Sequence, residues 1–105
     1  MQKNTSFNER CYQLLKLIPE GKVTTYSEIA RALNTTASRA VGSAMAKNTN
    51  LITIPCHRVV RKDGVIGEYA SGTKKKIELL TAEGIEIDNG KIKNLNHFMY
   101  FFKKP

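Results

Sequence analysis

The chain has 105 residues, enough for one domain with one core. Lys and Arg number 17 against 9 Asp and Glu, a net charge of +8 that points to a polyanionic partner such as nucleic acid. The apolar runs fall short of the roughly 20 residues that cross a bilayer, and Met1-Gln2-Lys3-Asn4 lacks the apolar stretch of a signal peptide, so a soluble, cytoplasmic protein without membrane contact is expected.

Ser6-Phe7-Asn8-Glu9 fits a capping box. Phe7, Cys11, Leu14, Leu15 and Ile18 then recur at helical spacing, which predicts an amphipathic helix over 7–18. Cys11 falls on its apolar face, where a thiol is a small buried hydrophobe. Pro19-Glu20-Gly21-Lys22 is a turn, and Val23-Thr24 is short and extended. Thr25-Tyr26-Ser27-Glu28 is a second capping box, and Ile29, Ala30 and Leu33 behind it predict a helix over 26–33. Asn34-Thr35-Thr36 is a loop. A helix over 36–47 follows, rich in Ala, Ser and Gly. A short helix, a three- or four-residue turn and a second helix form the helix-turn-helix outline. The small residues let the second helix lie close to another surface, either a neighbouring helix or a nucleic-acid groove.

Leu51 to Ile54 approaches the run Pro55-Cys56-His57-Arg58. Val59-Val60 and Val65-Ile66 flank an Asp-Gly turn and predict a hairpin. Gly67 to Gly72 is a loop holding Tyr69, and a helix over 73–83 follows, apolar at Ile77, Leu79 and Leu80. Asp88-Asn89-Gly90 predicts a second hairpin. The expected fold is mostly α with short β elements, a winged-helix-like helix-turn-helix domain over 1–92. The aromatic, basic tail 93–105 is expected to pack on it.

Cys56 is the candidate nucleophile. A cysteine attacks as thiolate, and an unperturbed thiol of pKa near 8.5 is only about 3% ionised at pH 7. His57 is a candidate base, and a base needs a third group to orient it. Glu83, at the end of the fourth predicted helix, is the candidate. Adjacency of Cys and His is by itself weak evidence, and an inert buried thiol is the bland alternative. Two Cys and 2 His without a Cys-x-x-Cys pair exclude a disulfide framework and make a zinc site unexpected. No metal or cofactor is expected.

Together these stretches make the pattern specific. Val23-Thr24-Thr25-Tyr26-Ser27-Glu28-Ile29-Ala30, Ser38-Arg39-Ala40-Val41-Gly42-Ser43-Ala44-Met45 and Ile54-Pro55-Cys56-His57-Arg58-Val59-Val60 occur in that order. Gly64 to Tyr69 and Lys76 to Gly84 continue the series. Over about residues 5–87 the chain resembles the C-terminal, active domain of the O6-alkylguanine-DNA alkyltransferases.

The resemblance implies direct-reversal DNA repair. Cys56 would take the alkyl group from O6-alkylguanine, and in some members from O4-alkylthymine, in one irreversible turnover. His57 would act through a water as base, with Glu83 behind it. Arg39 would fill the gap left by the extruded nucleotide. Thr25, Ser38, Ala40, Gly42 and Ser43 would lie at the DNA surface. Tyr26 would donate to N3 of the flipped base, the carbonyls of Cys56 and Val59 would accept from its exocyclic amine, and Tyr69, Ala70 and Ser71 would line its pocket. Asn48 and Arg58 would support the site. The implied partner is double-stranded DNA carrying the lesion, bound through the minor groove by a monomer. Here Tyr69-Ala70-Ser71-Gly72 replaces the Tyr-Ser-Gly-Gly common in the family, so a serine hydroxyl near O6 is gone.

Three rivals stand beside this reading. Alkyltransferase-like proteins bind the same lesion, transfer nothing and typically carry tryptophan where this chain has Cys56; the chain has no tryptophan. A helix-turn-helix regulator would read an undamaged palindrome as a dimer. A Cys-His hydrolase would leave the DNA-like features unused.

Overall fold

The computed structural model describes residues 6–50, 53–69 and 71–103. Leu51, Ile52 and Ala70 lie outside them, and with them half of the expected approach to Pro55 and one residue of the expected base pocket. The capping box at Ser6 closes fully. Its hydroxyl accepts from the Glu9 N–H at 3.1 Å, and the Glu9 carboxylate accepts from the Ser6 N–H at 3.2 Å. Helix α1 runs Phe7–Leu15, shorter than the predicted 7–18. Leu17 and Ile18 donate to Leu14 and Leu15, three residues back, so the chain tightens into turns before Pro19. Ile18 nevertheless stays in the core.

Helix α2, Tyr26–Ala32, begins at Thr25, whose hydroxyl accepts from the Glu28 N–H at 3.0 Å. This second box closes only halfway. The Glu28 carboxylate turns instead to Arg31, at 2.8 and 2.6 Å, and to the Phe102 N–H at 2.9 Å. Helix α3, Ser38–Ala46, starts two residues later than predicted, because Thr35 and Thr36 hold a tight turn with their own bonds to Ala37 and Ser38. α2 and α3 pack as the expected pair against α1. Cys11, Leu15, Ile29, Val41 and Ala44 are fully buried between them, and the Tyr12 hydroxyl ties α1 to the Ala44 carbonyl at 2.7 Å.

Cys56–Arg58 is a single 3₁₀ turn. It leads into β2, Val59–Val60, which runs parallel to β1, Thr24–Thr25, with Thr24 opposite Val59 and Thr25 opposite Val60. The predicted hairpin over 59–66 is therefore corrected. Its turn forms, with Gly64 donating to Arg61 at 2.8 Å and Arg61 to Val65 at 3.0 Å. Its far arm, however, pairs elsewhere: Val65 bridges to Lys91, and Ile66 donates to Gly90. β1 covers one edge of β2, and the far arm is drawn to residues 90–91 instead of the other edge. The second hairpin forms as predicted, β3 Ile87–Asp88 against β4 Lys91–Ile92, with Asn89 at φ 53° and Gly90 at φ 75° as a two-residue turn needs.

The alternation of a strand splits the core. Val59 faces the α1–α3 cluster, while Val60 joins Val23, Ile66, Leu80, Ile85 and Ile92 under helix α4, Thr73–Ala82. Beyond a four-residue helix α5, Leu95–Phe98, the chain lies beside β1. Val23 accepts from Tyr100 at 2.7 Å and donates to Phe98 at 2.9 Å. Phe98 and Phe102 enter the two clusters. The fold is mostly helical with short strands, and none of its helices, among the described residues, is long and apolar enough to cross a membrane.

Candidate active site and DNA-facing cleft

Cys56 opens the 3₁₀ turn directly after Pro55, and its residue is 4% exposed. Asn48, buried after α3, fixes the approach. Its amide donates to the Ile54 carbonyl at 3.1 Å and accepts from the Asn50 N–H at 2.9 Å. Burial pushes the Cys56 thiol above its ordinary value, while the Asn48 amide and the Lys76 ammonium pull it back. The thiol is thus protonated at pH 7 and needs a base to react.

The candidate base stands next in the chain. His57 is buried, and its Nε2 lies 2.8 Å from Glu83 Oε2. Burial would raise the Glu83 carboxyl, but hydrogen bonds from Arg58 and His57 outweigh it and hold the group below the usual carboxylate range. An ionised carboxylate only accepts. Nε2 therefore carries the proton and Nδ1 presents a lone pair. Nδ1 is buried and meets no hydrogen-bond partner among the described residues. Burial also lowers the His57 pKa, against the pull of Glu83, so the ring is neutral and basic at pH 7.

Arg58 completes the frame. It donates to Glu83 through Nε at 2.9 Å and Nη2 at 2.8 Å, and its Nη1 reaches the Ile18 carbonyl at 2.8 Å. Glu83 caps the end of α4, so this clamp fixes the 3₁₀ turn against both α4 and the turn that follows α1.

Lys76 escaped the reading of the sequence. Lys74-Lys75-Lys76 looks like a solvated run, yet Lys76 is 0% exposed. It stands one and two helical turns before Leu80 and Glu83, on the inward face of α4. That spacing was the available signal. Its Nζ donates to the Glu68 carbonyl at 3.1 Å, and burial lowers its pKa to about 8.

Next to this machinery lies a cleft of about 570 Å³. Tyr26, Ser38, Arg39, Gly42, Ser43 and Tyr69 line it, as do Arg61 and Glu68. The structure thus brings most of the expected DNA and base-pocket residues to one wall. Cys56 lies behind that wall rather than on it. The link is Tyr69, whose ring meets His57 edge-on at 6.3 Å. Tyr26 is half-buried, and burial followed by the Cys56 charge raises its pKa, so it remains a hydrogen-bond donor. Other expected residues lie elsewhere. Thr25 is buried, its hydroxyl committed to the α2 cap; Ala40 is half-buried off the cleft; Ser71 is exposed off it. The Cys56 carbonyl already accepts the Val59 N–H, which leaves one lone pair for another donor.

The family described as 6-O-methylguanine DNA methyltransferase, DNA binding domain, matches residues 6–85. The chain belongs to this family. Alkyltransferase relatives include the methylated-DNA–protein-cysteine methyltransferase of Thermococcus kodakarensis, 48% identical over 83 residues, which are 78% of this chain and 47% of that protein. The chain spans about half the length or less of the curated relatives it matches. Among solved structures, Mycobacterium tuberculosis OGT in complex with DNA superposes with a TM-score of 0.72 at 38% identity, covering 77% of this chain and 51% of that one. S. pombe Atl1 in complex with damaged DNA containing O6-carboxymethylguanine superposes at 0.79 with 34% identity, covering 90% of this chain and 94% of that one.

Proposed function

We propose that the protein repairs O6-alkylguanine in duplex DNA by moving the alkyl group to Cys56. The observation that supports this reading best is the His57–Glu83 hydrogen bond of 2.8 Å beside a buried cysteine, with a basic Nδ1 that meets no partner among the described residues. Glu83 holds the tautomer, and Nδ1 takes the thiol proton through a bridging water. The thiolate attacks the alkyl carbon in line. The Sγ–C bond forms as the C–O6 bond breaks, and its electron pair stays on O6. Tyr26 donates at N3, and the purine ends as neutral guanine once the proton held by His57 is returned. A thioether does not hydrolyse readily, so each molecule acts once.

The thiol needs in-line access that a stacked base denies. Extrusion costs a few kcal/mol, less for a weakly paired lesion. Helix α3 presents Ser38, Gly42 and Ser43 on the cleft, small enough for a minor groove about 6 Å wide, and Arg39 stands exposed to fill the gap. Phosphate contacts from the basic surface supply most of the affinity. The protein binds as a monomer in this reading.

One observation favours a second reading, lesion binding without transfer: Atl1 superposes with a TM-score of 0.79, against 0.72 for the DNA-bound M. tuberculosis OGT. Cys56 stands against it, because the non-transferring proteins typically carry tryptophan there. Mass spectrometry after incubation with duplex O6-methylguanine decides between them. The expected result is one methyl in place of one hydrogen on the Cys56 peptide. Tight lesion binding at unchanged mass overturns transfer.

A further inference from the structure

Arg61 is a cationic cleft residue that the proposed chemistry does not use. Its backbone is held on both sides of the Asp-Gly turn: its N–H donates to Val65 at 3.0 Å, and its carbonyl accepts from Gly64 at 2.8 Å. Its side chain leaves that rigid root and runs along the cleft wall over Gly67. Gly67 has φ 77°, and a Cβ there would stand 3.6 Å from Arg61 Cγ, 3.8 Å from Arg61 Nε and 3.6 Å from the Tyr26 hydroxyl. Arg61 and the Tyr26 hydroxyl thus share Gly67 as a common floor, both in ordinary contact distance of its open side. The guanidinium has no ion pair or hydrogen bond among the described residues, although Glu68 lines the same cleft. An exposed fork of donors, rooted in a tight turn and aimed along a DNA-facing wall, suits a planar or tetrahedral oxyanion.

The anion follows from the chemistry of a purine nucleotide. In the reading above, Tyr26 meets N3 of the extruded base. N3 neighbours N9, which bears the sugar, whereas the alkylated O6 is at the opposite end of the ring system. A cation beside the Tyr26 hydroxyl therefore faces the sugar-phosphate side, away from the transferred group. We propose that Arg61 grips a phosphate flanking the extruded nucleotide, making it a positioning residue that holds the flipped state beside Tyr26. The inference rests on the proposed transfer reaction and adds to it a phosphate subsite. It separates the work of two arginines on one wall: Arg39 fills the stack, and Arg61 retains what has left it.

The test measures methyl transfer to Cys56 by the full chain, wild type and Arg61→Gln. The substrates are duplex O6-methylguanine, the same duplex with a neutral methylphosphonate at either linkage flanking the lesion, and the free O6-methylguanine nucleobase. Arg61→Gln is expected to slow the unmodified duplex about tenfold, the scale of a charge-assisted phosphate contact. It should leave the nucleobase, which has no phosphate, within about twofold. One methylphosphonate should slow the wild type by a similar factor and the variant hardly at all. Equal slowing of duplex and nucleobase, or an Arg61 effect that persists at both neutral linkages, overturns the phosphate contact. Wild-type protein that leaves even the unmodified duplex unrepaired overturns the transfer reading itself, a result separate from either.

Discussion

The Arg58 guanidinium meets the Glu83 carboxylate side-on, Nε to Oε1 at 2.9 Å and Nη2 to Oε2 at 2.8 Å. Two parallel bonds fix the plane of the carboxylate as well as its charge. Oε2 is thereby aimed at His57, and a residue two positions after the thiol governs the base from the far side. Arg58 acts on His57 through Glu83, and its charge also lowers the ring's pKa directly.

Glu83→Gln tests that chain of control. An amide cannot match both the Arg58 fork and the His57 N–H, and it leaves the guanidinium without its counter-charge. Unfolding free energy should fall by about 3 kcal/mol, and transfer should slow about a hundredfold. Denaturant melts and the methyl-transfer rate check the two effects. The pH dependence has a definite sign. Glu83 is depressed below its unfolded value near 4.3, so its contribution is complete above that pH and is lost as pH falls through the folded value. The variant should lose that acid-side dependence.

Cys56→Ala should abolish the mass gain while preserving binding to duplex DNA. Cys11 cannot substitute. It is 0% exposed, and burial raises its pKa to about 11. A methyl found on Cys11, or transfer retained by the variant, would place the reactive thiol elsewhere.

Arg39→Ala should impair duplex repair by about tenfold or more, since in the proposed reaction the side chain acts only where a base must be kept out of the stack. Reaction with the free nucleobase should be unchanged. Equal losses on both substrates would show that Arg39 supports the fold and not extrusion.

Lys76→Met keeps the length of the buried side chain and removes its charge. The ammonium pulls the Cys56 thiol down, so the variant thiol should titrate higher, read from the pH dependence of iodoacetamide labelling, and transfer at pH 7 should slow. Stability carries a second signature. The folded pKa is about 8 against about 10.4 unfolded, so the unfolded chain binds the extra proton between these values. Wild type should therefore gain stability relative to the variant as pH rises from about 8 to about 10.4. A constant difference across that range would mean that Lys76 is not held as a strained cation.

The first capping box could be read because its partners are three residues apart. The second misled by half. Glu28 has the right spacing from Thr25, but its carboxylate is claimed by a backbone N–H 74 residues away, and no local pattern carries that information. The Asp-Gly turn before Val65 was legible as a turn, while its strand partner was not, because β2 had a parallel neighbour 35 residues upstream. Cys56, His57 and Glu83 could be nominated from their types and from resemblance. Their registry depends on Arg58, whose reach to Ile18 crosses 40 residues. Lys76 was hidden by its neighbours: three consecutive lysines look like one charged surface, and only the helical phase of Leu80 separates the buried one from the exposed pair.

Thr24 and Thr25 hydrogen-bond alongside Val59 and Val60, so the segment entering the reading head and the segment leaving the reactive turn are stitched together. α2 and α3 form an excursion that departs from this seam and returns to it. The spacing between phenol and sulfur is consequently set when the chain folds, before any groove is met. A cut within the excursion would leave Tyr26 and Cys56 tied through the seam, and would loosen instead α3 and the part of the cleft wall it carries.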